Sequence, residues 1–182
     1  MKQTITRKGS FDAGHRVMYE RVKCFNIHGH LYQYELTFEY DSMQSIGYAI
    51  DFKEIKRIAC EFIDEKFDHG FIANPQDTEM LLVCDKLKSK LWTMSLDLSN
   101  FCNPTAENVA KELFLCTERL MSKYKELRLI NVRLYETPNC FVDCTEDSID
   151  SVERYNFIHM RGKMIDEYSK AKGAMEYDSR KV

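Results

Sequence analysis

The sequence is poor in the residues that make a chain irregular. Proline occurs three times and glycine seven times in 182 residues, and neither an internal repeat nor a low-complexity segment is present. These scarcities exclude a collagen-like or disordered chain. Hydrophobic residues at 44% and charged residues at 30% fit a globular protein instead. The length suits one domain with a sizeable core.

Three further features are missing. There is no basic block, and the formal net charge is −3, so we expect no nucleic-acid partner. No apolar run approaches the roughly 18 residues of a membrane span, and the first ten residues lack the apolar core of a signal peptide, so we expect no membrane association. The seven cysteines include no C-x-x-C pair. This pattern predicts reduced thiols and a cytoplasmic location.

The hydrophobic pattern predicts an α+β fold. Residues 30–40 alternate most clearly, with tyrosine, leucine and phenylalanine on one face and polar side chains on the other. Strands are also predicted at 3–11, 127–136 and 139–144, and helices after Asp51, over 78–92 and after Thr105. In the strand at 127–136 we place Ile130, Val132 and Leu134 on the inner face. Two strand pairs with helices between them indicate an antiparallel sheet.

Of the five histidines, His28 and His30 are separated by one residue, and together with His15 they suggest a metal site. His28 and His30 flank Gly29 immediately before the clearest strand, so both rings point to one face of it. His15 follows the first predicted strand and could supply a third nitrogen. Imidazole ligands suit Zn²⁺, and three of them leave a coordination position open. An isolated H-x-H is equally compatible with two half-exposed polar residues.

Each of the other candidate residues is open to two interpretations. Cys24 is either a fourth, structural metal ligand or a free thiol whose pKa a nearby cation lowers. Asp68 and His69 are either a polar helix end or a carboxylate–imidazole pair. Glu136 continues the inner face of the last long strand. It is either a solvated strand end or an acceptor for the paired N–H donors of a guanine-like ring.

Taken together, these segments resemble the 6-pyruvoyltetrahydropterin synthase and 6-carboxytetrahydropterin synthase family. The resemblance covers the chain to about residue 145, and C-x3-H-G-H with an upstream A-x-H is its most specific part. The matching stretches are F-D-A-G-H-R (11–16), C-F-N-I-H-G-H-L-Y (24–32), A-I-D-F-K-E-I-K (49–56), F-D-H (67–69), N-P-T-A-E-N-V-A (103–110) and V-R-L-Y-E-T (132–137).

The resemblance implies the tunnelling fold. That fold is a four-stranded antiparallel sheet with two main helices, and trimers or hexamers of it close a barrel with active sites shared between subunits. Residues 1–145 would form this domain. An extra helical insertion at about 76–100 and a charged extension at 146–182, either a peripheral helix or frayed, would be additions to it.

The resemblance also implies the roles of the candidate residues. His15, His28 and His30 would bind Zn²⁺, Cys24 would accept a proton, and Asp68 with His69 would form a proton relay. Glu136 would hold the pterin ring, and Thr105 and Glu107 would line its pocket.

The three-residue gap between Cys24 and His28 resembles the bacterial queuosine-pathway branch of the family. That branch converts 7,8-dihydroneopterin triphosphate to 6-carboxy-5,6,7,8-tetrahydropterin, releasing acetaldehyde and triphosphate. One alternative is 6-pyruvoyltetrahydropterin formation from the same substrate. Another is a non-catalytic zinc module in which Cys24 and the three histidines close a structural site.

Overall fold

The computed structural model describes residues 3–97 and 101–173. The strands, in chain order, are β1 (Gln3–His15), β2 (His28–Tyr40), β3 (Gly70–Ala73), β4 (Leu91–Thr93), β5 (Leu127–Thr137) and β6 (Cys140–Cys144). The α-helices are α1 (Phe52–Ile55), α2 (Glu61–Phe67), α3 (Thr78–Leu87), α4 (Ala106–Met121) and α5 (Ser151–Lys172). A π-helical turn (Lys56–Cys60) joins α1 to α2, and a 3-10 turn (Glu146–Ser148) precedes α5.

The α+β class is confirmed, and the sheet is larger than predicted. Its order is β4-β3-β1-β2-β5-β6. The four strands β1, β2, β5 and β6 form the antiparallel unit that the resemblance implied. Two short strands extend it, because β3 pairs parallel to the end of β1 and β4 pairs parallel to β3. The expected four strands are therefore the antiparallel part of a six-stranded mixed sheet.

The two faces of the sheet differ in chemistry, as the alternating pattern requires. Toward the helices, β2 contributes Tyr32, Tyr34, Leu36 and Phe38 to one hydrophobic core. On the opposite face, cross-strand ion pairs such as Lys8–Glu35 and Arg133–Asp143 lie at 2.5 and 2.7 Å. One face is therefore sealed by helices, and the other is polar.

The predicted inner face of β5 needs a correction at its start. The pairing of β5 with β2 shifts between Thr37 and Phe38, so that Thr37 faces Asn131 while Phe38 faces Leu129. Ile130 is the extra residue of this β-bulge and is only half-buried, whereas Leu129 is buried. The bulge changes the phase of alternation by one residue. Val132 and Leu134 point inward as predicted.

The segment predicted as a helix over 78–92 divides into two elements. The helix α3 ends at Leu87, where Lys88 adopts a left-handed conformation with φ of 53°. Leu91–Thr93 then forms β4. The expected helical insertion at about 76–100 is thus part helix and part sheet, and its residues 98–100 lie outside the described residues.

The helices cover the inner face of the sheet in two layers. The helical stretch from α1 to α2 and the helix α4 pack directly against the strands, and α5 packs on α4. Phe157 and Ile165 of α5 are buried in the same core as the sheet. The described part of the segment after residue 146 therefore contains a packed helix. None of the described helices is long and apolar enough to cross a membrane.

Candidate active site

Three histidine rings converge where β1 ends and β2 begins. The antiparallel register places His15 directly opposite His28 and Ala13 opposite His30, so the three side chains project from one patch of the sheet. One nitrogen from each ring can be chosen so that all three lie within 4.8 Å of one another. The close approach of β1 and β2 at this point depends on Gly29, where a Cβ would lie 3.0 Å from the carbonyl oxygen of Ala13.

Backbone carbonyls fix the tautomers of two of these rings. His15 Nδ1 lies 2.8 Å from the Pro104 oxygen, and His28 Nδ1 lies 2.7 Å from the Asn26 oxygen. A carbonyl oxygen only accepts, so both Nδ1 atoms carry the proton, and in a neutral ring Nε2 is left with a lone pair. Histidines that bind a metal through one ring nitrogen typically donate the other N–H to a carbonyl or carboxylate in this way.

The donor set fits a divalent metal ion. The two Nε2 atoms of His15 and His28 lie 3.0 Å apart. With both Nδ1 atoms protonated, two neutral rings would bring two lone pairs together, which is favourable only when a cation lies between them. The separation is close to the roughly 3.3 Å expected for two nitrogens on one tetrahedral zinc at about 2.0 Å.

Burial keeps the central ring neutral, as metal binding requires. His15 is 1% exposed. Burial lowers its pKa to about 4, against an opposing hydrogen bond to Pro104, and the neighbouring histidines lower it further. Burial also lowers the pKa of His30, while the charge of Glu136 raises it. His15 is therefore a neutral imidazole near neutral pH, the form that a metal ligand requires.

Glu136 lies beside the histidines. Its Oε1 is 3.7 Å from His15 Nε2 and 3.9 Å from His30 Nε2. The pairing of β5 with β6 shifts between Tyr135 and Thr137, so Glu136 is the residue without a cross-strand partner. Bulges next to functional sites re-aim side chains in this way. Glu136 brings an acceptor to the cluster and leaves its other oxygen available to a ligand.

Cys24 is in the connection between β1 and β2 and is half-buried. The group of convergent metal-binding atoms consists of the three imidazoles and does not include its sulfur. Its backbone is held close to the end of β1, because the Val17 N–H donates to the Cys24 carbonyl at 2.7 Å.

Asp68 and His69 form a hydrogen-bonded pair where α2 ends. Asp68 accepts from the Asp12 N–H at 2.8 Å and lies 2.5 Å from His69 Nδ1. Partial burial raises the pKa of Asp68, but the bonds from Asp12 and His69 outweigh it and lower that pKa overall. The bond to Asp68 raises the pKa of His69. His69 has a φ of 54° and borders the same surface depression as His30.

Thr105 and Glu107 differ in their surroundings. Thr105 is the N-cap of α4, and its hydroxyl lies 3.5 Å from the Asn108 nitrogen. Glu107 is exposed in the first turn of the same helix. The preceding carbonyl, that of Pro104, contacts His15, so the start of α4 adjoins the histidine cluster.

The sequence-based interpretation missed several residues around this cluster. The carbonyls of Pro104 and Asn26 orient two rings, and carbonyls leave no mark in a sequence. Tyr32, fully buried, packs its ring against His15 and His30 at centroid distances of 5.9 and 5.6 Å. Its hydroxyl has no hydrogen-bond partner within residues 3–97 and 101–173. The H-G-H-L-Y pattern contained a signal for Tyr32, since it shares the face of His28 and His30.

Comparison with known proteins extends these observations. The family model described as 6-pyruvoyl tetrahydropterin synthase matches residues 4–147. A 6-carboxy-5,6,7,8-tetrahydropterin synthase from Rickettsia bellii is 37% identical over 138 residues, which cover 76% of this chain and 96% of the relative.

Solved structures share the fold. An uncharacterized protein from Wolinella succinogenes aligns with a TM-score of 0.64 at 22% identity, covering 80% of this chain and 99% of that one. The 6-pyruvoyl tetrahydropterin synthase of Caenorhabditis elegans aligns with a TM-score of 0.57 at 22% identity, covering 80% and 96%.

Proposed function

The chain belongs to the 6-pyruvoyl tetrahydropterin synthase family, and from this we propose that it is a zinc-dependent lyase of the queuosine pathway. Its reaction would convert 7,8-dihydroneopterin triphosphate to 6-carboxy-5,6,7,8-tetrahydropterin, with release of acetaldehyde and triphosphate. The observation that carries the proposal is the convergence of His15, His28 and His30 in a chain 37% identical to a relative with that name.

The three histidines would hold the zinc ion through one nitrogen each. A zinc ion with three neutral ligands and an open position acts as a Lewis acid toward a substrate hydroxyl or carbonyl oxygen. The chain's own contribution is to keep the His15 ring neutral through burial and to orient the rings of His15 and His28. The Pro104 and Asn26 carbonyls support this role, because each receives an Nδ1–H and leaves Nε2 available.

Cys24 would serve as the base that takes a proton from the substrate side chain. Its absence from the metal-binding group supports a free thiol over a fourth ligand. His69 would donate or accept protons at the side-chain oxygens, with Asp68 stabilising its protonated form. The short Asp68–His69 contact supports this pairing.

Glu136 would bind the pterin ring through its carboxylate, and Thr105 and Glu107 would line the ring's pocket. An ionised carboxylate can accept two parallel N–H bonds from the ring and its amino group. The position of Glu136 beside His15 and His30 supports a ring bound next to the metal.

Product analysis tests the reaction and separates it from the alternative product. After incubation of the zinc-loaded protein with 7,8-dihydroneopterin triphosphate, we expect acetaldehyde and 6-carboxytetrahydropterin in equal amounts. Formation of 6-pyruvoyltetrahydropterin without acetaldehyde would favour the other activity of the family. No turnover by a zinc-replete protein would favour a non-catalytic zinc module.

Two variants test the assigned roles. His28→Ala should lose both zinc and turnover. Cys24→Ala should keep one zinc per chain but lose turnover by roughly 10²- to 10⁴-fold, the contribution of a positioned base. Near-normal turnover of Cys24→Ala would show that another group acts as the base. Loss of zinc in that variant would make Cys24 a ligand.

We also propose a cytoplasmic location and assembly into a trimer or hexamer with pockets between subunits. Support for the first comes from the seven unpaired cysteines, which suit a reducing compartment. Support for the second comes from family membership and the open sheet edges discussed below.

A further inference from the structure

The connection between β1 and β2, residues 16–27, carries Cys24 and is called the thiol loop here. The Val17 N–H donates to the Cys24 carbonyl at 2.7 Å, so the two arms of the loop are joined at its neck. The position of Cys24 therefore depends on where the backbone of residues 17 and 18 is held.

Asn103 holds this backbone through two hydrogen bonds. Its Oδ1 accepts from the Met18 N–H at 3.0 Å, and its Nδ2 donates to the Met18 carbonyl at 2.8 Å. Two bonds from one planar amide fix both the position and the orientation of a peptide. Asn103 is half-buried, and its own carbonyl accepts from Asn108 Nδ2 at 2.9 Å, which anchors it to α4.

The residue that follows Asn103 holds a metal-ligand candidate. The Pro104 carbonyl accepts from His15 Nδ1 at 2.8 Å, and the ring of proline restricts the backbone between the two contacts. The dipeptide Asn103–Pro104 thus binds the thiol loop with its first residue and the histidine cluster with its second.

We propose that Asn103 is a positioning residue that sets the geometry of the Cys24 thiol relative to the histidine cluster. It acts through Met18 and the neck of the thiol loop. The inference rests on the proposed function, in which Cys24 is the base and the histidines hold zinc.

A second attachment of the thiol loop makes this role testable. Arg16 forms two bonds to Asp77 at the start of α3, at 2.6 and 2.5 Å. This attachment does not involve Asn103. Loss of the Asn103 side chain should therefore leave the loop tethered while its thiol becomes misplaced.

The experiment uses Asn103→Ala and the conservative variant Asn103→Asp, which replaces the donor to the Met18 carbonyl by an oxygen. We expect zinc content to stay at the wild-type level. The kcat should fall by roughly 10- to 100-fold, the size of effect that an ångström of misplacement produces, with KM changed by less than about threefold. Iodoacetamide should alkylate Cys24 several-fold faster in these variants than in the wild type. The rate is measured by peptide mass spectrometry.

Asn156→Ala is the matched control. Asn156 is buried on α5 and donates to the Leu96 carbonyl at 2.9 Å, a bond that involves neither Asn103 nor the thiol loop. This variant should have a lower melting temperature, yet wild-type kcat and wild-type alkylation of Cys24. A loss of stability alone therefore cannot imitate the expected result.

Three results would overturn the proposal. One is normal kcat and alkylation in the Asn103 variants. Another is a loss of zinc from the Asn103 variants in proportion to their loss of activity, which would show that the substitution acts through Pro104 on His15. The third is an equal fall of kcat in Asn156→Ala. If the wild-type protein does not turn over the triphosphate, the proposed function fails, and the alkylation rates alone decide whether Asn103 positions the thiol loop.

Discussion

At the scale of single residues, the pKa of the exposed His69 ring depends on one carboxylate, that of Asp68. Asp68 lies 2.5 Å from His69 Nδ1, and this bond raises the pKa of the imidazole. A histidine whose pKa is higher in the folded than in the unfolded state stabilises the folded protein fully at pH values below its unfolded pKa. This stabilisation is lost as pH rises through the folded pKa.

Asp68→Asn should lower the pKa of His69, because the amide keeps the size of the side chain but removes its charge. The measurement is a titration of the His69 ring protons by NMR, at constant ionic strength. Asp147→Asn, at an exposed aspartate in the turn before α5, is the control and should leave the His69 titration unchanged. An unchanged His69 titration would show that the pair is not formed in solution.

Glu136→Gln tests the acceptor at the second bulge of β5. The amide would present a donor to a donor on the pterin ring, leaving buried polar groups unpaired at a cost on the order of 1–3 kcal/mol. We expect pterin affinity, measured by calorimetry, to fall about tenfold or more with zinc content unchanged. A fall in zinc content would make Glu136 a metal ligand. Unchanged affinity would leave Glu107 as the next candidate for the ring.

Residue types and spacing indicated that the three histidines lie together, since period two puts His28 and His30 on one face of a strand. They could not predict the register that sets His15 opposite His28. They also could not predict the bulge that aims Glu136 at the rings. Both depend on pairing between distant segments, which a local pattern does not encode.

At the scale of elements, one buried carboxylate joins α4 to the segment after β4. Glu112 is fully buried, and its Oε1 accepts from the Ser95 N–H at 2.5 Å and from the Ser95 hydroxyl at 2.8 Å. From α5, Arg161 donates to the Thr93 carbonyl at 2.5 Å. Three elements therefore meet at a polar cluster within the core.

Glu112 should make the stability of the fold depend on pH. Burial raises its pKa to about 7, although bonds from Ser95 and the charge of Arg161 oppose the rise. The folded protein then binds a proton more tightly than the unfolded chain, so stability should decrease as pH rises from about 4.5 to about 7. The difference corresponds to roughly 3 kcal/mol or less.

Glu112→Gln should flatten this dependence, because the amide keeps an acceptor for Ser95 without a titratable proton. The measurement is urea unfolding at pH 5 and pH 8. We expect the free energy of unfolding of the wild type to fall more than that of the variant between pH 5 and pH 8. Glu126→Gln, at an exposed glutamate, is the control. An equal pH dependence in Glu112→Gln and wild type would contradict the assignment.

The elements that escaped prediction, or that the sequence left undecided, are short or weakly patterned. The strands β3 and β4 have four and three residues, too few for alternation to show. The helix α5 buries four residues of 22, so its apolar stripe is thin. It does carry a start signal, because Asp150 and Glu153 form a capping box. That D-x-x-E pattern was the one local cue for a helix after residue 150.

At the scale of the whole molecule, the sheet is left with open edges. Within the described residues, β3 pairs with β1 at Ala13–His15, and no strand pairs with residues 3–12 on the side away from β2. At the opposite end of the sheet, β6 pairs with β5 alone, and its Phe141 is half exposed. Open edges of this length invite pairing with another chain.

Pairing of β1 from one copy with β6 from the next would join the antiparallel parts of several sheets into a closed ring. We therefore expect light scattering to report three or six copies of the 21.5 kDa chain. Because the proposed pockets lie between subunits, turnover per chain should fall on dilution together with the measured mass, while zinc remains bound. A zinc-bound monomer that is fully active at micromolar concentration would contradict both the assembly and the shared pocket. If the protein is a trimer and its turnover per chain does not change when dilution separates the subunits, the assembly is confirmed and the shared pocket is rejected.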